Sequence, residues 1–382
     1  MTSSAGENGG LLPRSRAVAP VDGEVVHDVR ALVGASARID EALVAAAARG
    51  WSANTRRAFR SDLVLWGNWC RRNMVSAGDA DSTLVASWIR ALAGIDASTE
   101  QVRAMATIER YIVNVGWAYR MAGLHDPTAT PLVRLEKKAA RKTLGVRQRQ
   151  ARAIRFKGEI SDLDSPAAGV CLTNLLKACR RDELGLRDEA LLRVAYDTGA
   201  RRSELVAIDV EHVEGPDREG AGVLFIPSSK TDRAGEGAYA YLSAATMAAI
   251  RRWRDKADIR KGPLLRRVET HFDGSVAAVG SSRLHPNSIT LIYRRLLRAA
   301  FEKKLLGSLN DREVEHWLLS VSSHSIRVGV AQDNFAAGEG LPAIMQAYRW
   351  RDPKTVLRYG AKLAAKSGAS ARLAKRLAGG YS

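Results

Sequence analysis

The stretch "HSIRVGVAQDNFAAGEGLPAIMQAYRWRDPKTVLRYG", residues 324–360, decides how the rest of the chain is read. Its apolar spacing predicts helices over 324–337 and around 341–349. His324 and Arg327 lie three residues apart, so on a helix they share a face. At the far end Arg349, Arg351, Lys354 and Arg358 surround Tyr359, and Trp350 stands nine residues before it. A single tyrosine at such spacing is ordinarily a half-buried packing residue. The alternative is a tyrosine held to meet an anion, and the surrounding chain must decide between them.

The charge balance favours the anion. Lys and Arg number 59 against 41 Asp and Glu, a formal net charge of +18, with a sequence pI near 10.2. Such an excess points to a polyanionic partner, nucleic acid before an acidic membrane surface. At 382 residues, 46% hydrophobic and 26% charged, the composition is globular and long enough for two cores. Cys70, Cys171 and Cys179 form no CxxC pair and have no histidine at metal spacing, so reduced, half-buried thiols and no metal site are expected. The N-terminus lacks an apolar h-region and no apolar run is long enough to span a bilayer, which gives the expectation of a cytoplasmic protein without a membrane partner.

Upstream, residues 1–37, rich in Gly, Ser, Ala and Pro, read as a flexible tail. A helical domain is expected over 38–136. Within it, 54–73 places Phe59, Leu63, Trp66 and Cys70 on one face, and 81–94 begins with cap residues and ends at a glycine. "STEQ" at 98–101 reads as a capping box, with Ser98 as N-cap and Gln101 at N3. The helix it opens carries Arg103, Thr107, Arg110 and Asn114 as a polar stripe that faces solvent or a DNA groove. Residues 137–157, within a basic run that starts at Arg134, read as an inter-domain linker. The remainder, 158–382, is expected to be a mostly helical domain with a small antiparallel sheet. Its strands are "GVLFIPSSK" (222–230), "GAYAYLS" (237–243) and "VAIDVEHV" (206–213), with helices at 187–199 and 287–306.

Three ordered boxes in this second half carry the chemistry. "TGARRSEL" (198–205) puts Arg201 and Glu204 one helical turn apart, "HSIR" supplies His324 and Arg327, and the last box supplies Trp350 and Tyr359. Between the first two, "SSKTD" places Lys230 in a polar turn. Singly each is unremarkable: a surface ion pair, a chance HxxR, a lysine in a turn. Together, in this order and at these separations, they resemble the tyrosine recombinases, or phage integrases, over nearly the whole chain after residue 38. Two departures stand out. Arg202 follows Arg201 directly, leaving a register choice that the flanking "TG" and "SEL" settle for Arg201, and "AYRW" (347–350) stands where relatives often have glycines.

The resemblance implies a two-domain clamp on DNA, with a helical (SAM-like) N-terminal core-binding domain and an α+β catalytic domain. It implies site-specific recombination without metal, ATP or any other cofactor. Tyr359 is then the nucleophile, attacking a scissile phosphate to give a 3′-phosphotyrosyl intermediate. Arg201 and Arg327 hold phosphate oxygens, and His324 takes the phenol proton, since a group with pKa about 10 needs a base at neutral pH. Glu204 orients the Arg201 and His324 side. Lys230 protonates the leaving 5′-oxygen, and Trp350 donates its indole N–H to a phosphate oxygen. Partners implied are duplex DNA with an inverted-repeat site and further copies of the chain, four on two sites through exchange of a C-terminal helix around 368–377, with strands passing through a Holliday junction. Arg57, Arg103 and Arg110 in the first domain and Thr290, Arg294 and Arg298 on the 287–306 helix are the candidate DNA contacts. A type IB topoisomerase-like activity and a catalytically inactive accessory protein are the alternatives.

Overall fold

The computed structural model describes residues 21–34, 37–98, 100–145, 150–158, 166–227, 236–367 and 369–379. They fall into two compact units that divide between residues 149 and 150.

The first unit contains six α-helices among its described residues: α1 (Val21–Val33), α2 (Glu41–Gly50), α3 (Ala53–Arg72), α4 (Ser82–Leu92), α5 (Met105–Met121) and α6 (Pro131–Leu144). Ser52 caps α3 by accepting the Thr55 N–H at 3.2 Å. Phe59, Leu63, Trp66 and Cys70 are buried along one face of α3, as their spacing predicts. Trp66 and Trp88 fill the centre, and Trp88 stacks on Tyr111 with ring centroids 5.6 Å apart.

Four expectations are corrected here. Residues 21–33 are not tail: Val25 and Val29 of α1 are buried, and Asp28 accepts from Arg60 of α3 at 2.8 Å. Composition misled because two valines four apart are enough to bury one face of a short helix. The basic run is not all linker either. Thr130 caps α6, Pro131 opens it, Val133 and Ala140 are buried, and Gly145, at φ 69°, ends it. Ser98 caps no helix; its hydroxyl accepts the Glu100 N–H at 3.1 Å, the Glu100 carboxylate pairs with Arg72, and α5 starts only at Met105. The polar stripe of α5 is tied back onto the fold, with Asn114 buried and Arg110 half-exposed. Arg110 donates to both oxygens of the fully buried Asp62, at 3.0 and 2.9 Å, and Asn114 donates to the same carboxylate at 2.7 Å.

The second unit comprises α7 (Leu172–Ala178), α8 (Glu183–Thr198), α9 (Arg202–Ala207), β1 (Val213–Glu214), β2 (Gly222–Ile226), β3 (Ala238–Leu242), α10 (Ala244–Lys256), β4 (Arg266–Thr270), β5 (Val276–Arg283), α11 (Ser288–Glu302), α12 (Asp311–Ser320), α13 (Ser325–Ala336), α14 (Leu341–Ala347), α15 (Pro353–Ser367) and α16 (Ala369–Gly379). β1, β2 and β3 form one antiparallel sheet, with Leu224 opposite Val213 and Ala240. β4 and β5 form a separate hairpin that the sequence reading passed over, because Arg, Glu and Thr mask its alternation. "VAIDVEHV" is a strand only at Val213; its earlier residues end α9 and make a 3-10 turn.

Packing around α8 and α13 fixes where the boxes meet. Leu191, Leu192 and Ala195 of α8 are fully or nearly fully buried, as are Val328 and Val330 of α13. Gly329 of α13 lets the incoming segment 150–158 lie against it, since a Cβ there would sit 1.9 Å from the Ile154 carbonyl oxygen. The Asp333 carboxylate secures that segment by accepting from Arg155 Nε at 2.6 Å, the Phe156 N–H at 2.8 Å and the Tyr196 hydroxyl at 2.7 Å.

Candidate active site

Four pieces of chain converge in the second unit: the α8–α9 junction, the start of α13, the turn after α14, and α15. α8 stops at Gly199, whose φ of 55° suits glycine and where a Cβ would meet the Tyr348 ring at 2.9 Å. The chain then turns through Arg201, the N-cap position of α9. Glu204 accepts the Arg201 N–H at 3.0 Å through Oε2 and the Arg201 guanidinium at 2.6 Å through Oε1. Burial works against the Glu204 carboxylate, yet the Arg201 N–H and guanidinium outweigh it and leave its pKa below the usual value. Arg202 points elsewhere and donates to Asn287 at 3.1 Å, so the register choice falls on Arg201.

His324 is set by its own loop. Ser325 Oγ accepts the Ser322 N–H at 3.0 Å, Ser322 Oγ accepts the His324 N–H at 3.2 Å, and Thr290 Oγ1 accepts the Ser323 N–H at 3.0 Å. The imidazole Nε2 lies 2.7 Å from the Tyr359 hydroxyl. Burial, then Arg327 and Arg201, push the His324 pKa down to about 4, which leaves the ring neutral at pH 7. Burial pushes the Tyr359 phenol up, partly offset by Arg327, Arg358 and Arg201, so it does not ionise unaided near neutrality. A neutral imidazole beside a protonated phenol is a base within reach of its proton.

Arg327 is 2% exposed and donates to the Gly199 carbonyl and, at 3.3 Å, to the Tyr348 carbonyl. Its guanidinium lies 4.4 Å from the Trp350 ring centroid. Burial and the neighbouring Arg201 lower its pKa to about 9, which Glu204 offsets only in part, so it stays charged at pH 7. Trp350 packs between Arg327 and Tyr359, its ring centroid 6.2 Å from that of the tyrosine. Cations crowded together out of water favour an anion among them, and phosphate suits guanidinium forks.

Lys230 lies outside the described residues. The remaining six candidates of the catalytic set, Arg201, Glu204, His324, Arg327, Trp350 and Tyr359, are brought together. Three further residues support them. Gln332 donates to the Tyr359 carbonyl at 3.2 Å and Gln150 to the Arg358 carbonyl at 3.3 Å, tying down the tyrosine helix. Gln332, eight residues after His324, shares its helix face, a periodicity signal that was available in the sequence. Arg349, one of the four cations around Tyr359 in sequence, is buried against Glu204.

Of the three DNA-contact candidates in the second unit, Thr290, Arg294 and Arg298, the structure brings only Thr290 to this cluster, where it acts through the His324 loop. Arg294 turns back to the Val321 carbonyl at 3.3 Å, and Arg103 precedes α5 half-buried; neither is the outward group expected. Both sit beside carbonyls or loops that helical periodicity does not reveal. Arg110 is committed to Asp62. Arg57, near the start of α3, and Arg298, paired with Glu315 at 2.9 Å, remain exposed.

A model of the phage integrase family matches residues 171–366, just over half of the chain. The chain belongs to the phage integrase family. Its relatives include recombinase Cre of Escherichia phage P1, 26% identical over 331 residues, covering 85% of this chain and 89% of Cre. A XerD integrase/recombinase homologue of Selenomonas ruminantium is 28% identical over 316 residues, covering 80% of this chain and 81% of the relative. Among solved structures, the XerH site-specific recombinase bound to palindromic difH substrate, a post-cleavage complex, shares the fold with TM-score 0.52 at 11% identity, over 93% of this chain and 98% of that one. This phage integrase is therefore an enzyme of the tyrosine site-specific recombinase class. Among its described residues no helix is long and apolar enough to cross a membrane.

Proposed function

We propose that the protein is a Cre-type site-specific DNA recombinase whose nucleophile is Tyr359. The Tyr359 oxygen attacks the scissile phosphorus while His324 Nε2 takes the phenolic proton. The bond to the 5′-oxygen breaks, and Lys230 supplies the proton that the leaving alkoxide needs. The product is a 3′-phosphotyrosyl ester and a free 5′-hydroxyl, and reversal with a partner strand's 5′-hydroxyl rejoins the DNA without ATP. Arg201 and Arg327 stabilise the charge that builds on the phosphorane oxygens, each such donor being worth about 10²–10³ in rate. Glu204 holds Arg201, and Trp350 donates to a phosphate oxygen and backs the tyrosine.

The observation that carries this reading is the 2.7 Å approach of His324 Nε2 to the Tyr359 hydroxyl beside the two guanidiniums. A packing tyrosine has no need of a neutral imidazole and of guanidiniums that outnumber the one carboxylate, Glu204, set among them. The proposed partners are duplex DNA with an inverted-repeat site, as the difH substrate of XerH is palindromic, and three further copies of the chain. The helical first unit is read as the core-binding body, with Arg57 as its foremost candidate contact and Arg298 that of the second unit. α16, which leaves Leu373 57% and Leu377 59% exposed, is read as the segment exchanged between copies. Strand exchange through a Holliday junction follows from two sequential rounds of this chemistry.

The test is a nicked suicide duplex carrying the protein's own site, obtained by selection from random DNA, followed by a denaturing gel. The wild type is expected to leave a covalent protein–DNA adduct and Tyr359→Phe none. An adduct that persists in Tyr359→Phe refutes the assignment of the nucleophile. A folded wild type that binds the site but forms no adduct points to an accessory protein instead.

A further inference from the structure

Arg349 is the residue in this site that the fold has least reason to contain. Its backbone sits at φ 58°, in the left-handed region that favours glycine. Its side chain is 10% exposed and donates through Nη2 to the Thr198 carbonyl at 3.2 Å and toward Glu204 Oε2 at 3.5 Å. Its Nε and Nη1 are buried with no hydrogen-bond partner among the described residues. A buried donor without a partner disfavours folding, and so does a third guanidinium set near those of Arg201 and Arg327. Backbone strain, desolvated donors and like-charge crowding thus fall on one side chain. Residues held in such conformations concentrate where a site needs them.

What it touches indicates its use. Glu204 is held by three donors: Arg201 Nη1 on Oε1, and the Arg201 N–H and Arg349 Nη2 on Oε2. On the reading proposed above, on which this inference rests, Arg201 must share its guanidinium with the scissile phosphate. That weakens its grip on Oε1, and the carboxylate is then free to swing or to compete for the arginine. Arg349 is buried against Glu204 with two desolvated donors that find no partner among the described residues. Neither atom is reachable by DNA from outside, so Arg349 is not itself a phosphate contact.

We infer that Arg349 is a positioning residue that keeps Glu204 in place while Arg201 shares its guanidinium with the phosphate. An arginine costs the fold stability here, and the return is a carboxylate that does not move when its principal partner is shared. The loop that carries Arg349 also carries Trp350, so the same turn sets the indole against Arg327.

The experiment is a double-mutant cycle on the full chain, using the nicked site in single-turnover cleavage. The variants are Arg349→Gly, Glu204→Gln, their combination, and Arg349→Lys. Arg349→Gly is expected to keep or raise the melting temperature, to bind the site with unchanged Kd, and to cleave about tenfold more slowly, about 1.4 kcal/mol at the transition state. Combined with Glu204→Gln it is expected to add nothing, since its effect runs through that carboxylate. Arg349→Lys is expected to recover part of the rate. Equal cleavage by Arg349→Gly overturns the inference, and so does a double variant whose loss is the product of the single losses. A slower rate that tracks a lowered melting temperature overturns it too, because it marks a structural role only. If the folded wild type forms no adduct while Arg349→Gly still binds the site, the recombinase reading fails and takes this inference with it. That outcome is distinct from a wild type that cleaves and a variant that cleaves equally well.

Discussion

Replacing His324 by glutamine removes the only titrating group in hydrogen-bond contact with the Tyr359 hydroxyl among the described residues, while leaving a polar side chain near it. Burial first, then Arg327 and Arg201, hold the imidazole pKa at about 4 against 6.5 for the free side chain. At about 1.4 kcal/mol for each tenfold change in the proton equilibrium, that difference corresponds to about 3 kcal/mol. The sign follows from which state binds the proton. Between pH 6.5 and 4 the unfolded chain protonates His324 and the folded chain does not, so acidification favours unfolding. This contribution is complete above pH 6.5 and lost as pH falls toward 4. Urea unfolding of the wild type and of His324→Gln at pH 7 and pH 4 isolates it, because every other group titrates alike in both. The wild type is expected to lose about 3 kcal/mol more than the variant, in the transition of the second unit alone. The first unit serves as internal control. In parallel, His324→Gln at pH 7 is expected to slow adduct formation about 10²–10⁴-fold, the usual worth of a positioned base. Equal acid losses in the two proteins would refute the burial argument, and unchanged cleavage would refute the proton transfer.

Two further outcomes test the fold. Val29→Ala in α1 removes two buried carbons from a fully buried position and is expected to cost about 2 kcal/mol in the first unit's unfolding transition; no loss would return residues 21–33 to the status of a tail. Arg110→Ala leaves the buried Asp62 carboxylate with Asn114 as its remaining side-chain partner, and because the arginine is half-exposed the expected cost is about 1–3 kcal/mol. Chemical denaturation without DNA reads that loss directly, and a variant of unchanged stability would return Arg110 to a role on the nucleic acid.

The sequence by itself determined what is local or additive. Charge excess sums over residues wherever they lie. The 3.6-residue period that placed Phe59, Leu63, Trp66 and Cys70 on one face is a property of one helix. The three boxes, too, were legible, because Arg201 with Glu204 and His324 with Arg327 are each one helical turn apart, and their order along the chain survives without coordinates. Tertiary structure decided everything that depends on a partner far away in sequence. Arg110 looked like an outward stripe residue until Asp62, 48 residues earlier, claimed it. Arg294 looked outward until the Val321 carbonyl, 27 residues on, turned it inward. α1 was hidden because its two valines are hydrophobic signal only once α3 offers a face to cover them. Arg349 is the sharpest case: beside Tyr359 in sequence it reads as one more cation, yet Glu204, 145 residues away, makes it a buried prop. A charge declares its sign in the sequence, but whether it meets solvent, phosphate or a carboxylate is settled by what the fold brings within hydrogen-bond reach, and that distance is set by packing.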